Sequence, residues 1–570
     1  MLANWFPLLR DLRQYRKEWL SSDLIAGLSV AAVQIPTAMA YADLAGLPPQ
    51  VGLYASILPV MVYALFASSR QLIVGPDAAT CAMIAALLMP IAQGNPVYYL
   101  QLMAGLTITT GLLMVIGGST RMGFFVNFFS RPVLVGYLNG IAISIIAGQL
   151  GKILGIQITH RDFGPALLEL FRHLEQTHLL SLGLGAMTLV LLVLVQRYAP
   201  RAPAALIALA VAGAVAWGLD IAPHGVALVG AMPSSLPSFA LPGLGYHGVQ
   251  AIFMDAVALL VVSFSSGMLT ARSFAARNGY SINADQEMRA IGFANIISGL
   301  SGGFAVTGAD SRTAVNNASG GKTQLVSLVA ALATAAVILF LTAPLGYLPI
   351  TALGAVLVIS AWGLLDIVSW KELFRISRFE FGLSLLTTVG VLTIGVLPGV
   401  VLAILLAIVH VLKKIYQPQE AILGQVPGLA GYNDIALSPE ARTIPGVVIY
   451  RFESPLLFFN ADLFKSRLHA LAEQSGAPHT LVLSLEGITQ MDVTGLQALF
   501  DAHDELKRKG IRLLLARPKR YMRKYARTAH AVDKIGQENI FFSIRSAVKS
   551  ALATAPLAEP PASPKDQPVA

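Results

Sequence analysis

Several long stretches of this chain hold no Asp, Glu, Lys or Arg at all, among them Leu24–Ala42, Leu44–Ser69, Ala78–Thr120, Pro132–Gly151, Ala202–Leu219, Thr323–Leu365 and Phe381–Val409. A transmembrane helix needs about 20 consecutive apolar residues, so the longest of these hold two helices each. Shorter apolar spans at Leu179–Val195, Ala256–Ala271 and Ala290–Ala309 add to them. The length rule predicts roughly twelve to fourteen helices, some too short to cross alone. Charged residues make up only 12% of the 570, and mean hydropathy is +0.66. That is about half the charged share of a soluble domain, too little for a surface that meets water on all sides.

The formal net charge of +9 raises nucleic acid as a partner. Lys and Arg gather instead at the ends of apolar spans, as membrane topology requires, so no nucleic-acid partner is expected. Cys81 is the single cysteine, which excludes a disulfide framework and a cysteine-based zinc site. No His/Cys/Asp group has metal-ligand spacing, and neither a metal nor a cofactor is expected. Residues 1–23 mix Arg10, Arg13, Arg16 and Lys17 with Trp5, Trp19, Asp11 and Glu18. They read as an amphipathic segment on the cytoplasmic face rather than a cleavable signal. Ile153–His178, with His160, Arg161 and Asp162, reads as an exposed connector.

The membrane part is expected over 24–416. From Gln417 the texture changes: charges become frequent and apolar runs shorten to strand length. Val447–Phe452, Thr480–Leu485 and Ile511–Ala516 read as buried strands, with Ala461–Gln474 and Gly495–Lys509 at helical spacing between them. Strand, helix, strand, helix, strand predicts a small α/β domain over 417–552. The Pro- and Ala-rich tail, 553–570, is expected to be unstructured.

One internal similarity points to function. Gly75-Pro76-Asp77-Ala78-Ala79-Thr80 and Gly308-Ala309-Asp310-Ser311-Arg312-Thr313 share Gly-x-Asp-x-x-Thr. Each is expected to open a short apolar segment, one in each half of the membrane part. Transporters built from inverted repeats place such interrupted half-helices at the bilayer midplane. Their N-termini offer unpaired N–H groups and a positive dipole end, which together suit an anion. Where the first copy has Ala79, the second has Arg312, flanked by Ser311 and Thr313. A charge at membrane depth costs at least about 2.5–3.5 kcal/mol, so it normally lines a cavity and has a partner. Arg312 is therefore read as an anion ligand, against the alternative of a lock with Asp310 or Asp77.

Other motifs carry less. Ser319-Gly320-Gly321-Lys322-Thr323 ends like a phosphate-binding loop, but Asn316 stands where the first glycine is required and no strand precedes it. Lys322 is expected at a membrane boundary.

The chain resembles the sulfate permease (SulP) family, bacterial relatives of animal anion exchangers and of prestin. The resemblance rests on Asp23-Leu24-Ile25-Ala26-Gly27, Ile35-Pro36, Ala40-Tyr41-Ala42, Gly46-Leu47-Pro48-Pro49, Gly52-Leu53-Tyr54 and Val74-Gly75-Pro76. It continues with Val306-Thr307-Gly308 and with the run from Ser311 to Asn316. It implies fourteen membrane segments in two inverted seven-helix repeats, a core domain sliding against a gate domain, and a cytoplasmic STAS domain. It also implies a substrate site between the half-helices of segments three and ten. Thr37 and Tyr41 on segment one, Ala78, Ala79 and Thr80 on segment three, and Ser311 with Arg312 on segment ten would line it. Many relatives carry a carboxylate on segment eight, where this chain reads Ser265-Ser266-Gly267. A sodium site there is not expected. Asp77 and Asp310 are the candidates for proton coupling, since a carboxylate in low dielectric beside a fixed cation can titrate with occupancy.

The C-terminal domain is similar to STAS domains through Leu485-Glu486-Gly487-Ile488 and Met491-Asp492-Val493-Thr494-Gly495. In anti-sigma antagonists a Ser or Thr in this loop is phosphorylated, which makes Thr494 the regulatory candidate. Asp492 and Thr494 acting as helix caps is the commoner use of such residues. The expectation is a secondary active anion transporter of the bacterial inner membrane, homodimeric, with both termini cytoplasmic and a STAS domain open to a cytoplasmic partner. It is not an enzyme. Sulfate is the first substrate, with bicarbonate and C4-dicarboxylates as alternatives, and a membrane-bound anion sensor is the rival from another class.

Overall fold

The computed structural model describes residues 7–8, 15–123, 130–158, 163–199, 202–473, 478–519 and 531–554. Trp5, Arg10 and Arg13 of the N-terminal segment, the run His160-Arg161-Asp162 and the tail beyond 554 lie outside them. The chain divides into two compact units, Met1–Leu406 and Ala407–Ala570.

The first half of the membrane unit runs α1 (Trp19–Leu44), α2 (Pro49–Tyr54), α3 (Leu58–Phe66), β1 (Val74–Gly75), α4 (Ala78–Ala92), α5 (Pro96–Ser119), α6 (Arg131–Leu154), α7 (Phe163–Arg172), α8 (Leu179–Tyr198) and α9 (Ala204–Gly218). The second half runs α10 (Tyr246–Arg277), α11 (Ala284–Leu300), β2 (Thr307–Gly308), α12 (Asp310–Ala318), α13 (Leu325–Phe340), α14 (Thr342–Gly346), α15 (Ile350–Trp362), α16 (Ile367–Ile376), α17 (Arg378–Thr393) and the start of α18 (Val396–Tyr416), a helix that the unit boundary at Leu406 divides. Seven helical segments among the described residues are long and apolar enough to cross a membrane, and α4, α9 and α13 are shorter apolar helices. The first helix begins at Trp19, ahead of the first charge-free run, and takes in Asp23, which is fully buried.

Local chemistry divides the long apolar runs. Between α4 and α5 the backbone turns through Gln93 and Gly94, both at positive φ. Asn95 then accepts from the N–H groups of Val97 and Tyr98, each at 3.1 Å, with Pro96 in the first helical position. Polar cap, proline and left-handed turn thus make two helices of one apolar stretch.

Two packing groups emerge. α1 packs on α2 and α13, α3 on α11, and α5 on α10 and α11, whereas α6 packs on α15 and α17, and α8 on α9 and α15. Glycines set the closest approaches. A Cβ on Gly111 of α5 would lie 2.6 Å from the Gly292 carbonyl oxygen of α11, and one on Gly292 would lie 2.8 Å from that of Gly111. In lipid, close backbone packing of this kind replaces the hydrophobic drive available in water. Leucines, valines and aromatics such as Val190, Leu194, Phe340 and Val409 are left on outer helix faces, where hydrocarbon is their solvent. The two groups meet where Lys152 of α6 forms an ion pair with Asp43 of α1.

The second unit is a six-stranded sheet in the order β4-β3-β5-β6-β7-β8. Its strands are β3 (Glu420–Gly424), β4 (Asn433–Asp434), β5 (Val447–Phe452), β6 (Thr480–Ser484), β7 (Arg512–Ala516) and β8 (Ile540–Phe541). β5 to β8 are parallel, and β3 joins β5 antiparallel. Helices α19 (Ala461–Ala472) and α20 (Val493–Arg508) supply Phe464, Leu468, Leu499 and Leu506 to the core on one face. The last helix, α22 (Ile544–Ala553), which follows the short α21 (Ala531–Ile535), covers the other face with Ala547 and Val548. β3, β4 and β8 were not expected, because a strand of two residues, or a five-residue strand beginning at Glu420, shows no clear period.

Candidate functional site

The two copies of Gly-x-Asp-x-x-Thr meet in space. β1 and β2 pair antiparallel, Val74 opposite Gly308 and Gly75 opposite Thr307. The chain enters α4 and α12 from this crossed pair, so the two half-helices start from one place in opposite halves of the unit. Ala309 N–H donates to the Ile73 carbonyl at 2.9 Å, and Ile73 N–H to the Thr313 hydroxyl at 3.1 Å.

The half-helices differ. α4 is apolar, and Asp77 caps it by accepting from Ala79 N–H at 3.2 Å. α12 is polar and only nine residues long. The expectation of an apolar second segment is therefore corrected: Asp310, Ser311, Arg312, Asn316 and Asn317 crowd it, and Asp310, Arg312 and Asn316 find partners on other segments. No side chain among the described residues caps the first turn of α12, which leaves its N–H groups available.

Arg312 is 1% exposed. Its Nη2 donates to the carbonyl oxygen of Pro76, at the mouth of the other half-helix. Nε and Nη1 are buried with no hydrogen-bond partner. Gly75 is required for this reach, since a Cβ there would overlap the guanidinium. No ion pair joins Arg312 to a carboxylate among the described residues. Asp77 is occupied as a cap, and Asp310 accepts from the hydroxyl of Thr270 on α10. Buried N–H groups of a charged side chain are costly to leave unmade, so two on one guanidinium mark a place where acceptor oxygens fit.

The remaining expected residues fall around this point with different roles. Tyr41 is buried and lies within electrostatic reach of both Asp77 and Arg312. Thr37 is buried, but its hydroxyl donates to the Val33 carbonyl at 2.8 Å; its proton is held by its own helix. Ala78, Ala79 and Thr80 are buried in the first turn of α4, while Ser311 and Asp310 are exposed. At Gly267 the segment-eight turn has no room for a side chain. Gly267 packs on β2, and a Cβ there would lie 2.9 Å from Thr307 Oγ1 and 3.0 Å from Gly308 N. One turn later Thr270 holds Asp310, so a carboxylate reaches α10 from α12 instead. Thr270 and the Pro76 carbonyl were not legible in the sequence, because both act through partners from distant segments. Among the described residues no group of three or more His, Cys, Asp or Glu is placed to hold a metal ion.

In the second unit Asp492 is the cap of α20, accepting from Gly495 N–H at 2.7 Å and from Phe458 N–H at 2.8 Å. Thr494 is exposed in the first turn and is not the capping side chain. Gly487 and Gly495 are demanded by close approach: a Cβ would meet the Phe452 and Leu456 carbonyl oxygens, respectively.

Comparison with known proteins agrees with this architecture. The model of the sulfate permease family matches residues 20–387 and that of the STAS domain residues 438–551. A probable sulfate transporter of Mycobacterium tuberculosis is 41% identical over 549 residues, covering 96% of this chain and 98% of its own. The chloroplastic sulfate transporter 4.1 of Arabidopsis thaliana is 31% identical over 575 residues, covering 97% and 84%. The structure of the murine solute carrier 26 family member A9 anion transporter, in the inward-facing state, superposes with a TM-score of 0.90 at 23% identity, over 97% of this chain and 94% of that one. The transmembrane domain of a cyanobacterium bicarbonate transporter gives 0.61 at 22% identity, over 69% and 98%. Paired half-helices, a buried arginine with open donors and full-length relatives lead to one assignment: this chain belongs to the sulfate permease family, as a multi-pass membrane transporter of anions that carries a STAS domain and is not an enzyme.

Proposed function

We propose that the chain is a secondary active transporter of small oxyanions, sulfate first, driven by co-transported protons through an elevator-type movement. The observation that carries the reading is the Arg312 guanidinium, buried between the half-helix entries with Nε and Nη1 unpaired. One full positive charge and two helix N-termini of about half a charge each sum to roughly the charge of a sulfate dianion when Asp77 and Asp310 carry protons. Bicarbonate and C4-dicarboxylates are kept as alternatives, since both are anions with several acceptor oxygens; matched proteins are named for sulfate and for bicarbonate. Thr37, Tyr41, Ala78, Ala79, Thr80 and Ser311 would complete the site. The elevator reading is supported by the two packing groups, since both half-helices and β1–β2 belong with α1–α5 and α10–α13.

The test is uptake of labelled sulfate, bicarbonate and succinate into proteoliposomes, with and without an acid-outside pH gradient. Sulfate uptake accelerated by the gradient is expected. Binding without flux of any of the three would favour the anion-sensor reading.

Coupling is assigned to Asp77 and Asp310. Asn at either position is expected to flatten the pH dependence of uptake while the protein still inserts. Two Asn variants with the wild-type response to the gradient would place coupling elsewhere.

The proposed orientation is N-terminus and STAS domain in the cytoplasm of the inner membrane, because Arg16 and Lys17 precede α1 and Lys413 and Lys414 end α18. Tags at both ends should resist an impermeant protease in intact spheroplasts; cleavage of either would refute it. A homodimer is proposed with it, to be read from the mass of the purified particle.

A further inference from the structure

We infer that the Tyr137 hydroxyl, on α6 of the second packing group, is a hydrogen-bond donor to the transported anion. The inference rests on the oxyanion site proposed above and adds a contact from the opposite side of the transporter. Tyr137 is fully buried, among the largest side chains so placed, yet its hydroxyl has no hydrogen-bond partner. A buried phenol usually finds one, because the polar end of the ring loses its water on burial. Phe would fill nearly the same volume without an orphaned O–H, so packing alone does not account for Tyr.

Its position supplies the account. α6 packs on α4, and Tyr137 lies within electrostatic reach of Asp77, the cap of α4. Asp77 is also within electrostatic reach of Arg312 and Tyr41. Unpaired buried donors from two helices thus share the neighbourhood of Asp77: two N–H groups from α12 and one O–H from α6. A ligand that satisfies all three must be all acceptor, with several oxygens spread around a small centre. A tetrahedral or planar oxyanion has that form. The placement also has a mechanical consequence. Arg312 travels with one packing group and Tyr137 belongs to the other, so the contact exists only in conformations that bring the half-helix entries against α6. Tyr137 thereby favours the loaded state in that position over the empty one.

The test uses full-length protein in lipid nanodiscs, with sulfate as the probe, and compares Tyr137→Phe and Arg312→Ala with wild type. Tyr137→Phe is expected to weaken sulfate binding about tenfold, as loss of a hydrogen bond to a charged group does. The Tm of the ligand-free protein should be unchanged, because the hydroxyl has no protein partner to lose. Sulfate binding within twofold of wild type in Tyr137→Phe would overturn the inference. So would a lowered ligand-free Tm, which makes the hydroxyl structural. Arg312→Ala separates the two levels: if it binds sulfate as wild type does, the anion site itself falls, whereas loss in Arg312→Ala with none in Tyr137→Phe refutes only the gate-side contact.

Discussion

Arg312→Ala is expected to abolish sulfate binding and uptake while the protein inserts and folds as before. The guanidinium is the one full positive charge on the half-helix entries, and the half-helix N-termini add only about half a unit each. An oxyanion entering the site leaves most of its hydration behind. Two hydrogen bonds from Nε and Nη1 to anionic oxygens contribute roughly 1.5–3 kcal/mol each, so losing both costs a factor of about a hundred or more. Folding should survive because the guanidinium is bonded only to the Pro76 carbonyl among the described residues, and removing it also removes a buried, half-paired charge. Arg312→Lys should keep weak uptake with poorer discrimination among anions, since an ammonium lacks the planar fork that grips two oxygens. Ser311→Ala should do much less, as one neutral hydrogen bond is worth about 0.5–1.5 kcal/mol. Radiolabelled uptake and equilibrium binding on variants matched for membrane content decide the matter. Wild-type affinity in Arg312→Ala would make the residue structural and leave the site to dipoles and hydroxyls.

Much of this site was legible because its chemistry is local. Gly-x-Asp-x-x-Thr twice, with Ala79 in one copy and Arg312 in the other, marks two helix starts and a fixed cation without any knowledge of packing. The charge-free runs and the alternation after Gln417 are equally local and predict both units. What was not legible is what one half of the chain does to the other. Gly75 is readable as a glycine, but its reason is the guanidinium that arrives from α12. Thr270 looks like any threonine in an apolar helix until Asp310 is brought to it. Tyr137 sits in a charge-free run where nothing separates it from a packing aromatic. Hydrogen bonds between segments leave no period in sequence, and the absence of one leaves still less.

The same holds for Asp23, whose replacement by Ala is the second large effect expected. Asp23 opens the Asp-Leu-Ile-Ala-Gly run and is fully buried near the start of α1. One carboxylate oxygen accepts from Lys322 N–H at 2.7 Å and Thr323 N–H at 3.4 Å. The other accepts from the Thr323 hydroxyl at 2.7 Å and the Tyr15 hydroxyl at 3.2 Å. Burial first, and then the charge of Asp23, push the Tyr15 phenol up to about 12, so it remains a donor throughout the physiological range. The Gly-Gly-Lys-Thr sequence that looks like a phosphate loop thus grips a carboxylate of its own chain. From this loop a network runs to the site: Gln324 donates to the Ser69 and Leu72 carbonyls at 2.8 and 2.9 Å, and Asn316 of α12 to the Gln71 carbonyl at 2.8 Å. Asp23 therefore anchors the far end of the half-helix that carries Arg312. In Asp23→Ala the Lys322 N–H and the N–H and hydroxyl of the buried Thr323 lose their acceptor. At about 1–3 kcal/mol for each unsatisfied group, the loss is comparable to the whole stability margin of many domains. Asp23→Ala should lower the Tm steeply and remove most uptake. Asp23→Asn, which keeps one acceptor oxygen, should fall between it and wild type. Uptake per inserted molecule distinguishes a lost anchor from a lost protein: if Asp23→Ala inserts, keeps its Tm and transports at the wild-type rate, the Gly-Gly-Lys-Thr loop holds α12 without the carboxylate.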